Sequence, residues 1–181
     1  MINSKRIKIG EHYVYSSSAP GLKMKNVSKK YFSVEHLLTS YLREVKSRNI
    51  KLIVVLIPDM DAYFIYGQDL VKFYNEHGVK AIKYPIEDMD VPKSIRSFAN
   101  LEEYLERKID HDNILIHCAG GTGRTGMVIA GLLMKLGKSL DQAVSLVRQM
   151  KFGSIETDEQ EKFLEDYQDY LMTNEAIMDM I

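Results

Sequence analysis

A cysteine and an arginine that enclose a glycine-rich loop are the residues of this chain best suited to chemistry. Cys118 and Arg124 form the pattern Cys-x5-Arg. The residues between them are small or polar: Ala119, Gly120, Gly121, Thr122 and Gly123. Glycines allow successive backbone N–H groups to turn inward as an anion-binding nest, and a guanidinium fork matches two phosphoryl oxygens. The pattern therefore predicts a phosphate-binding loop with a thiol at its edge.

This loop is predicted to connect a short buried strand to a buried helix. The strand ends at His117, and the apolar helical segment begins at Thr125. The positive end of a helix attracts anions. It also favours the thiolate form of a cysteine, which is the nucleophilic form. Cys118 is therefore predicted to be an activated nucleophile that faces a bound phosphate.

Other interpretations of the glycines are disfavoured. Gly121-x-Gly123-x-x-Gly126 satisfies the dinucleotide-binding fingerprint, but that fingerprint requires an acidic residue about 20 positions later, at the end of the next strand. Here two predicted helices follow, and the nearest acid, Asp141, lies in the first turn of one of them. A Walker loop is excluded because no Gly-Lys-Ser/Thr follows. An inert structural cysteine is the remaining alternative, and the Cys-x5-Arg spacing disfavours it.

The residues around the loop predict alternating strands and helices. Four apolar, β-branched segments predict strands at His12 to Ser16, Lys51 to Ile57, Lys80 to Ile86 and Asn113 to His117. Between them, apolar residues recur with a helical period. The segment from Thr125 to Leu136 is apolar almost all round, which predicts a buried central helix. This alternation predicts an α/β fold, with a mostly parallel central sheet of four to five strands and helices on both faces.

Composition and length restrict the class of protein. The chain has 181 residues, of which 45% are hydrophobic and 27% charged, as is typical of one globular domain. The formal net charge of −1 disfavours a nucleic-acid partner. Cys118 is the single cysteine, which excludes an internal disulfide and a multi-thiolate zinc site. The longest apolar run, Leu52 to Pro58, is too short to cross a membrane. No apolar segment of signal-peptide length follows the N-terminus, so a soluble, cytoplasmic protein is predicted.

The motif His117-Cys118-x5-Arg124-Thr125 resembles the signature of the cysteine-dependent protein tyrosine and dual-specificity phosphatases. It lies about two-thirds along the chain, as in that superfamily, and the similarity covers roughly residues 10 to 170. The resemblance implies a protein tyrosine phosphatase-like fold and a single phosphatase domain over residues 1–181. The core of that domain is expected at about 10–170, followed by a C-terminal helical extension at 171–181.

Three further segments extend the resemblance. Ser154 to Gln160 resembles a segment of the small atypical dual-specificity phosphatases, and Tyr84 to Pro92 resembles their general-acid loop. Ala19-Pro20-Gly21, with the lysine-rich segment after it, is similar to the phosphatases associated with cyclin-dependent kinases.

The resemblance implies a role for each residue of the motif. Cys118 attacks phosphorus and forms a phosphocysteine, which water then hydrolyses. Arg124 and the backbone N–H groups from Ala119 to Arg124 bind the three equatorial oxygens. Thr125 donates to the departing thiolate, and His117 orients the cysteine backbone and helps to keep the thiolate charged. Neither a cofactor nor a metal is implied.

An aspartic acid on the segment from Tyr84 to Pro92 is expected to protonate the leaving oxygen. Glu87, Asp88 and Asp90 are the candidates. Members of the family often have an Asp followed four residues later by a Pro, and Asp88 with Pro92 has that spacing. Asp88 is therefore assigned as the general acid, with Asp90 as the alternative.

Two features outside the loop have both a structural and a functional interpretation. Gln160 matches a position that helps to place the hydrolytic water in some relatives, and it is equally the acceptor of a capping box that begins at Thr157. A group of lysines either steers an anionic substrate or forms a solvated face: Lys23, Lys25, Lys29 and Lys30.

The predicted function is hydrolysis of phosphotyrosine and/or phosphoserine/threonine in proteins. One alternative keeps the chemistry and takes a phosphoinositide or inositol phosphate, and the absence of lysine from the loop disfavours it. A second alternative is a non-catalytic phosphate-binding module, which the presence of nucleophile, arginine and acid disfavours. The predicted partners are a phosphoprotein substrate and a phosphate or other oxyanion in the loop, with no nucleic acid and no membrane. A monomer is favoured over an oligomer.

Overall fold

Five strands form one mixed sheet. The computed structural model describes residues 4–22 and 33–178. The strands are β1 (Lys5–Ile9), β2 (His12–Ser18), β3 (Ile50–Val55), β4 (Lys80–Lys83) and β5 (Asn113–Cys118). Their order across the sheet is β1-β2-β5-β3-β4. β1 runs antiparallel to β2, and the other neighbours are parallel, so the predicted mostly parallel sheet is confirmed.

Seven helices in the described ranges cover both faces of the sheet. They are α1 (Val34–Ser47), α2 (Asp59–Tyr66), α3 (Leu70–Glu76), α4 (Ile95–Ile109), α5 (Gly123–Lys135), α6 (Leu140–Met150) and α7 (Asp158–Met178). Helices α1 to α3 contribute to one hydrophobic core and α4 to α7 to the other. None of these helices combines the length and apolar character that crossing a bilayer requires.

The central strands are apolar along their length because both of their faces are covered. Ile114, Leu115 and Ile116 of β5 are fully buried. Ile114 and Ile116 belong to the core beneath α4 to α7, whereas Leu115 belongs to the core beneath α1 to α3. The alternation of side chains along β5 therefore joins the two cores through the sheet.

The carboxyl end of β5 holds Cys118 in a fixed position. Ser18 at the end of β2 pairs with Cys118, and Val55 of β3 pairs with His117. Helix α5 begins at Gly123, and its residues are buried from Gly123 to Met134. Because a central strand anchors one end of the loop and a buried helix the other, the loop backbone has little freedom to rearrange.

Strand β1 and helix α2 are not predicted by the sequence patterns. Only Ile7 and Ile9 of β1 are apolar, which is too short an alternation to predict a strand, and its charged residues Lys5, Arg6 and Lys8 are usual for an edge strand. Helix α2 leaves Met60 and Phe64 exposed, so its apolar residues do not form one buried stripe. The two predicted segments in β3 and β4 also end earlier than expected, at Val55 and Lys83.

A buried carboxyl group lies between α4 and α5. Glu102 of α4 is fully buried, and neither of its carboxyl oxygens has a hydrogen-bond partner in the described part of the chain. Burial raises the pKa of Glu102 well above its ordinary value of 4.5. The folded protein therefore keeps Glu102 protonated at pH values where the unfolded chain ionises it. The free energy of unfolding consequently falls as the pH rises above about 4.5.

Replacing Glu102 by glutamine is expected to remove this loss of stability. Glu102→Gln should raise the midpoint of thermal unfolding by about 3 °C or more at pH 8 and change it less at pH 5, because an amide needs no proton on folding. Circular dichroism melts at the two pH values measure the difference. Glu103→Gln is the matched control, since Glu103 is exposed on the same helix and its ion pair with Arg107, across one turn, is a surface pair. An equal effect of Glu102→Gln at both pH values would contradict a protonated carboxyl group.

Candidate active site

The loop from Cys118 to Gly121 is anchored through its carbonyl groups. The backbone N–H of Ala19 donates to the carbonyl oxygens of Cys118, at 2.9 Å, and of Ala119, at 3.2 Å. The hydroxyl group of Ser16 donates to the carbonyl oxygen of Gly121 at 2.9 Å. These donors come from β2 and the residue that follows it, so the neighbouring strand holds the outer side of the loop.

Lys151, which follows α6, completes the outer set of donors. Its ammonium group donates to the carbonyl oxygen of Gly120 at 3.0 Å and also to that of Gly121. The successive carbonyl groups from Cys118 to Gly121 are therefore all engaged on the outer side. The N–H groups of such a loop turn to its concave side, where they form an anion-binding nest.

The sulfur of Cys118 lies on this concave side. The backbone N–H of Gly121 donates to Sγ at 3.0 Å, and Cys118 is 2% exposed. Gly121 has a φ of +69°, and a Cβ atom at this position would lie 2.1 Å from the carbonyl oxygen of Ser17. Only glycine therefore allows the loop to approach β2 this closely.

Arg124 connects the phosphate loop, residues 118–124, to the acid loop, residues 84–92. Its Nη1 donates to the carbonyl oxygen of Ile86 at 2.9 Å, and its Nη2 donates to Oδ1 of Asp88 at 2.6 Å. The side chain of Arg124 is 3% exposed, whereas that of Asp88 is 74% exposed. The guanidinium group is thus enclosed by protein, while Asp88 approaches it from the solvent side.

The other acidic candidates of the acid loop lie differently. The carboxylate of Asp90 accepts from the backbone N–H of Val91 at 2.8 Å, so it is turned toward its own backbone. Glu87 is exposed, and its carbonyl oxygen accepts from the N–H of Asp90. Of the candidates, Asp88 is the one whose side chain the structure brings to Arg124.

His117 is packed among aromatic rings. It is fully buried, with the rings of Tyr41 and Tyr74 each 6.0 Å from it between centroids and its Nε2 atom 3.4 Å from the Tyr74 hydroxyl oxygen. Burial lowers the pKa of His117 from its ordinary 6.5 to about 4, and the charge of Arg124 acts in the same direction. His117 is therefore neutral near pH 7, without a positive charge beside Cys118.

Thr125 and Gln160 are both fully buried at the site. The hydroxyl group of Thr125, in the first turn of α5, has no hydrogen-bond partner among the residues that the structure describes. The side chain of Gln160 accepts from the N–H of Glu156 at 2.9 Å and donates to the carbonyl oxygen of Asp90 at 3.3 Å. Only half of the predicted capping box is formed, because the Thr157 hydroxyl accepts from the N–H of Gln160 but the Gln160 side chain binds elsewhere.

The sequence patterns predict no role at the loop for three residues that contact it. Ser16 and Lys151 bind its carbonyl groups, and Oε2 of Glu156 accepts from the N–H of Gly123 at 2.8 Å. Ser16 and Lys151 lie in segments without a recognisable motif, and Glu156 lies within the segment that resembles the atypical phosphatases. The lysine group predicted either to steer a substrate or to form a solvated face lies outside the described residues: Lys23, Lys25, Lys29 and Lys30.

Comparison with models of known protein families identifies the family to which the chain belongs. One such model, described as "Swiss Army Knife protein, DSP-PTPase phosphatase domain", matches residues 66–164. The match includes the acid loop, the phosphate loop and Gln160, and it covers more than half of the chain. The chain belongs to this phosphatase family. It is a cysteine-dependent protein phosphatase.

Individual relatives agree with this assignment. Cyclin-dependent kinase inhibitor 3 of Rattus norvegicus is 28% identical over 155 residues, which are 84% of this chain and 70% of the relative. A kinase-associated phosphatase with a serine in place of its catalytic cysteine has a TM-score of 0.75 at 25% identity, covering 94% of this chain and 96% of that one. Tk-PTP in the active form has a TM-score of 0.69 at 25% identity, covering 91% and 97%. The predicted resemblance to small atypical dual-specificity phosphatases is confirmed.

Gly121→Ala is expected to impair the phosphatase at the loop. The added Cβ collides with the carbonyl oxygen of Ser17 and moves the N–H that binds Sγ, so kcat/KM should fall about 100-fold or more. Gly137→Ala is the matched control: Gly137 has a φ of +85° and open space around its Cβ position, and it follows the opposite end of α5. Steady-state kinetics and thermal melts of both variants separate the two effects. Equal activity of the two variants would contradict the role given to Gly121.

Proposed function

We propose that this phosphatase hydrolyses phosphotyrosine and/or phosphoserine/threonine in proteins through a phosphocysteine on Cys118. The proposal rests on one observation: the acid loop reaches the phosphate loop through the contact between Asp88 and Arg124. A thiol with an N–H donor on its sulfur, a guanidinium group and a carboxyl group therefore lie at one edge of the sheet. These are the nucleophile, the anion-binding group and the acid that phosphoryl transfer to sulfur requires. No cofactor takes part.

In the first step, the thiolate of Cys118 attacks phosphorus. A P–S bond forms, the P–O bond to the substrate side chain breaks, and the leaving oxygen takes a proton from Asp88. The guanidinium group of Arg124 and the N–H groups of the loop, from Ala119 to Arg124, bind the three remaining phosphoryl oxygens. Donors that are already oriented toward the developing charge stabilise the transition state without reorganisation.

The contact between Arg124 and Asp88 changes when substrate binds. When phosphoryl oxygens take Nη2 of Arg124, the carboxyl group of Asp88 is released from that hydrogen bond. Asp88 is exposed on the solvent side of Arg124, so it can then turn to the leaving oxygen of the substrate, which needs a proton.

In the second step, water attacks the phosphocysteine. The P–S bond breaks, Cys118 leaves as a thiolate, and the carboxylate of Asp88 accepts the proton that the water loses. The buried hydroxyl group of Thr125, which lacks a partner in the described part of the chain, is the donor proposed for the departing sulfur. Gln160 supports the site from its contact with the acid-loop carbonyl of Asp90.

A phosphoprotein substrate fits the character of the loop. The residues from Ala119 to Gly123 carry no lysine, so the loop itself offers no extra cation for a polyphosphorylated inositol ring. Similarity to a kinase-associated phosphatase supports the same substrate class. A cytoplasmic location and a single monomeric domain are part of the proposal, and a reducing compartment keeps the one thiol active.

Replacement of Cys118 tests the proposal directly. Cys118→Ser should abolish phosphate release, with a loss of about 1,000-fold or more, because the hydroxyl group is a far weaker nucleophile at neutral pH. Binding of a phosphopeptide should be retained, since the loop N–H groups and Arg124 are unchanged. Phosphate release from phosphotyrosine, phosphothreonine and inositol phosphate substrates is the measurement. Undiminished turnover by the variant would refute a phosphocysteine, and turnover of the inositol phosphate alone would refute the substrate class.

Substrates that differ in leaving group test the role of Asp88 as the general acid. Asp88→Asn should slow a phosphoserine peptide far more than p-nitrophenyl phosphate, because p-nitrophenolate leaves without a proton and a serine alkoxide does not. The expected difference between the two losses is about tenfold or more. Asp90→Asn is the matched control on the same loop and should affect both substrates alike. Dependence on the leaving group in Asp90→Asn alone would assign the acid to Asp90.

A further inference from the structure

A carboxylate occupies one of the loop donors that a phosphoryl group needs. Oε2 of Glu156 accepts from the backbone N–H of Gly123 at 2.8 Å. Gly123 is the first residue of α5, and its N–H is one of the first-turn donors that have no partner within a helix. Together with the contact of Asp88 to Arg124, acidic side chains of the protein itself engage two of the loop's anion-binding groups.

Backbone contacts and an unusual backbone conformation hold the segment around Glu156 in place. Its N–H donates to the side chain of the fully buried Gln160 at 2.9 Å. Ile155, immediately before it, is buried and has a φ of +61°, which is unfavourable for a β-branched residue. Such a conformation persists only where the surroundings impose it. The segment therefore directs the side chain of Glu156 to Gly123, and a Cβ atom on Gly123 would lie 2.4 Å from Oε2 of Glu156.

A carboxylate and a phosphoryl group compete for this donor. One N–H makes one good hydrogen bond, so a phosphoryl oxygen that takes the Gly123 N–H must displace Glu156. The displaced carboxylate then stands beside a dianion, and like charges at short distance repel. Hydrogen bonds that involve a charged acceptor are among the stronger ones, so this displacement weakens the binding of any free oxyanion.

We propose that Glu156 is an internal competitor of phosphate, which lowers the affinity of the loop for inorganic phosphate and thereby promotes release of the product. This inference rests on the proposed function, because the competition matters for turnover only if phosphate forms in the loop. A phosphorylated protein overcomes the competition through contacts of its polypeptide, which free phosphate lacks. Glu156 in this way favours substrate over product at the same loop.

Inorganic phosphate is the probe that tests the proposal. Glu156→Gln keeps the shape and removes the charge, and Glu156→Ala removes the acceptor. Both should lower the inhibition constant of phosphate about tenfold, and calorimetric titration with phosphate should show the same gain in affinity. Glu159→Gln is the matched control, because it removes the same charge from an exposed residue of the same segment. This control should change the phosphate affinity less than about twofold.

The outcomes separate the inference from the proposed function. An unchanged phosphate affinity in both Glu156 variants, with melts that show them folded, overturns the competition even if the wild type releases phosphate from peptides. An equal gain in Glu159→Gln also overturns it, since general charge would then be the cause. Tighter phosphate binding in both Glu156 variants supports the competition. If the wild type nevertheless turns over no phosphopeptide, the proposed function fails and the competition for the loop stands.

Discussion

The hydrogen bonds on the outer side of the phosphate loop are the interaction on which the site depends. A loop of small residues has many backbone conformations of similar energy, and the concave arrangement is one of them. Ala19, Ser16 and Lys151 select it by engaging the carbonyl groups from Cys118 to Gly121. The N–H groups face inward as a consequence. These residues belong to β2, to the position after it and to the end of α6, and they bind the loop through its carbonyl groups.

The burial of α5 gives that arrangement its electrostatic strength. From Gly123 to Met134 the helix is enclosed, and Gly131 lets it approach the ring of Phe98 more closely than a side chain would permit. Charges and dipoles interact more strongly where water is excluded. The positive end of the α5 dipole is therefore little screened by water where it meets the loop. The apolar core that stabilises the fold thus also strengthens the attraction of the loop for an anion.

The features that depend on local sequence were predictable, and those that depend on contacts across the fold were not. Cys118 ends an apolar strand and Arg124 lies in the first turn of an apolar helix, and short-range patterns are sufficient to place them. The parallel sheet follows for the same reason, because its central strands are continuous apolar runs. The contact of Glu156 with Gly123 joins two loops through space, and no spacing in the sequence encodes it. The side chain of Gln160 does not complete the predicted capping box because it binds the N–H of Glu156 and the carbonyl oxygen of Asp90 instead.

The pairing of β2 with β5 has a consequence for how the protein folds. Ser18 pairs with Cys118, and the N–H of Tyr13 donates to the side chain of Asn113 across 100 residues of chain. Contacts so distant in sequence form slowly, because loop closure costs entropy before the contact stabilises anything. During synthesis, the hairpin of β1 and β2 can join the sheet only after β5 has left the ribosome. The phosphate loop depends on donors from Ser16 and Ala19, so it cannot take its final shape before β2 and β5 have paired.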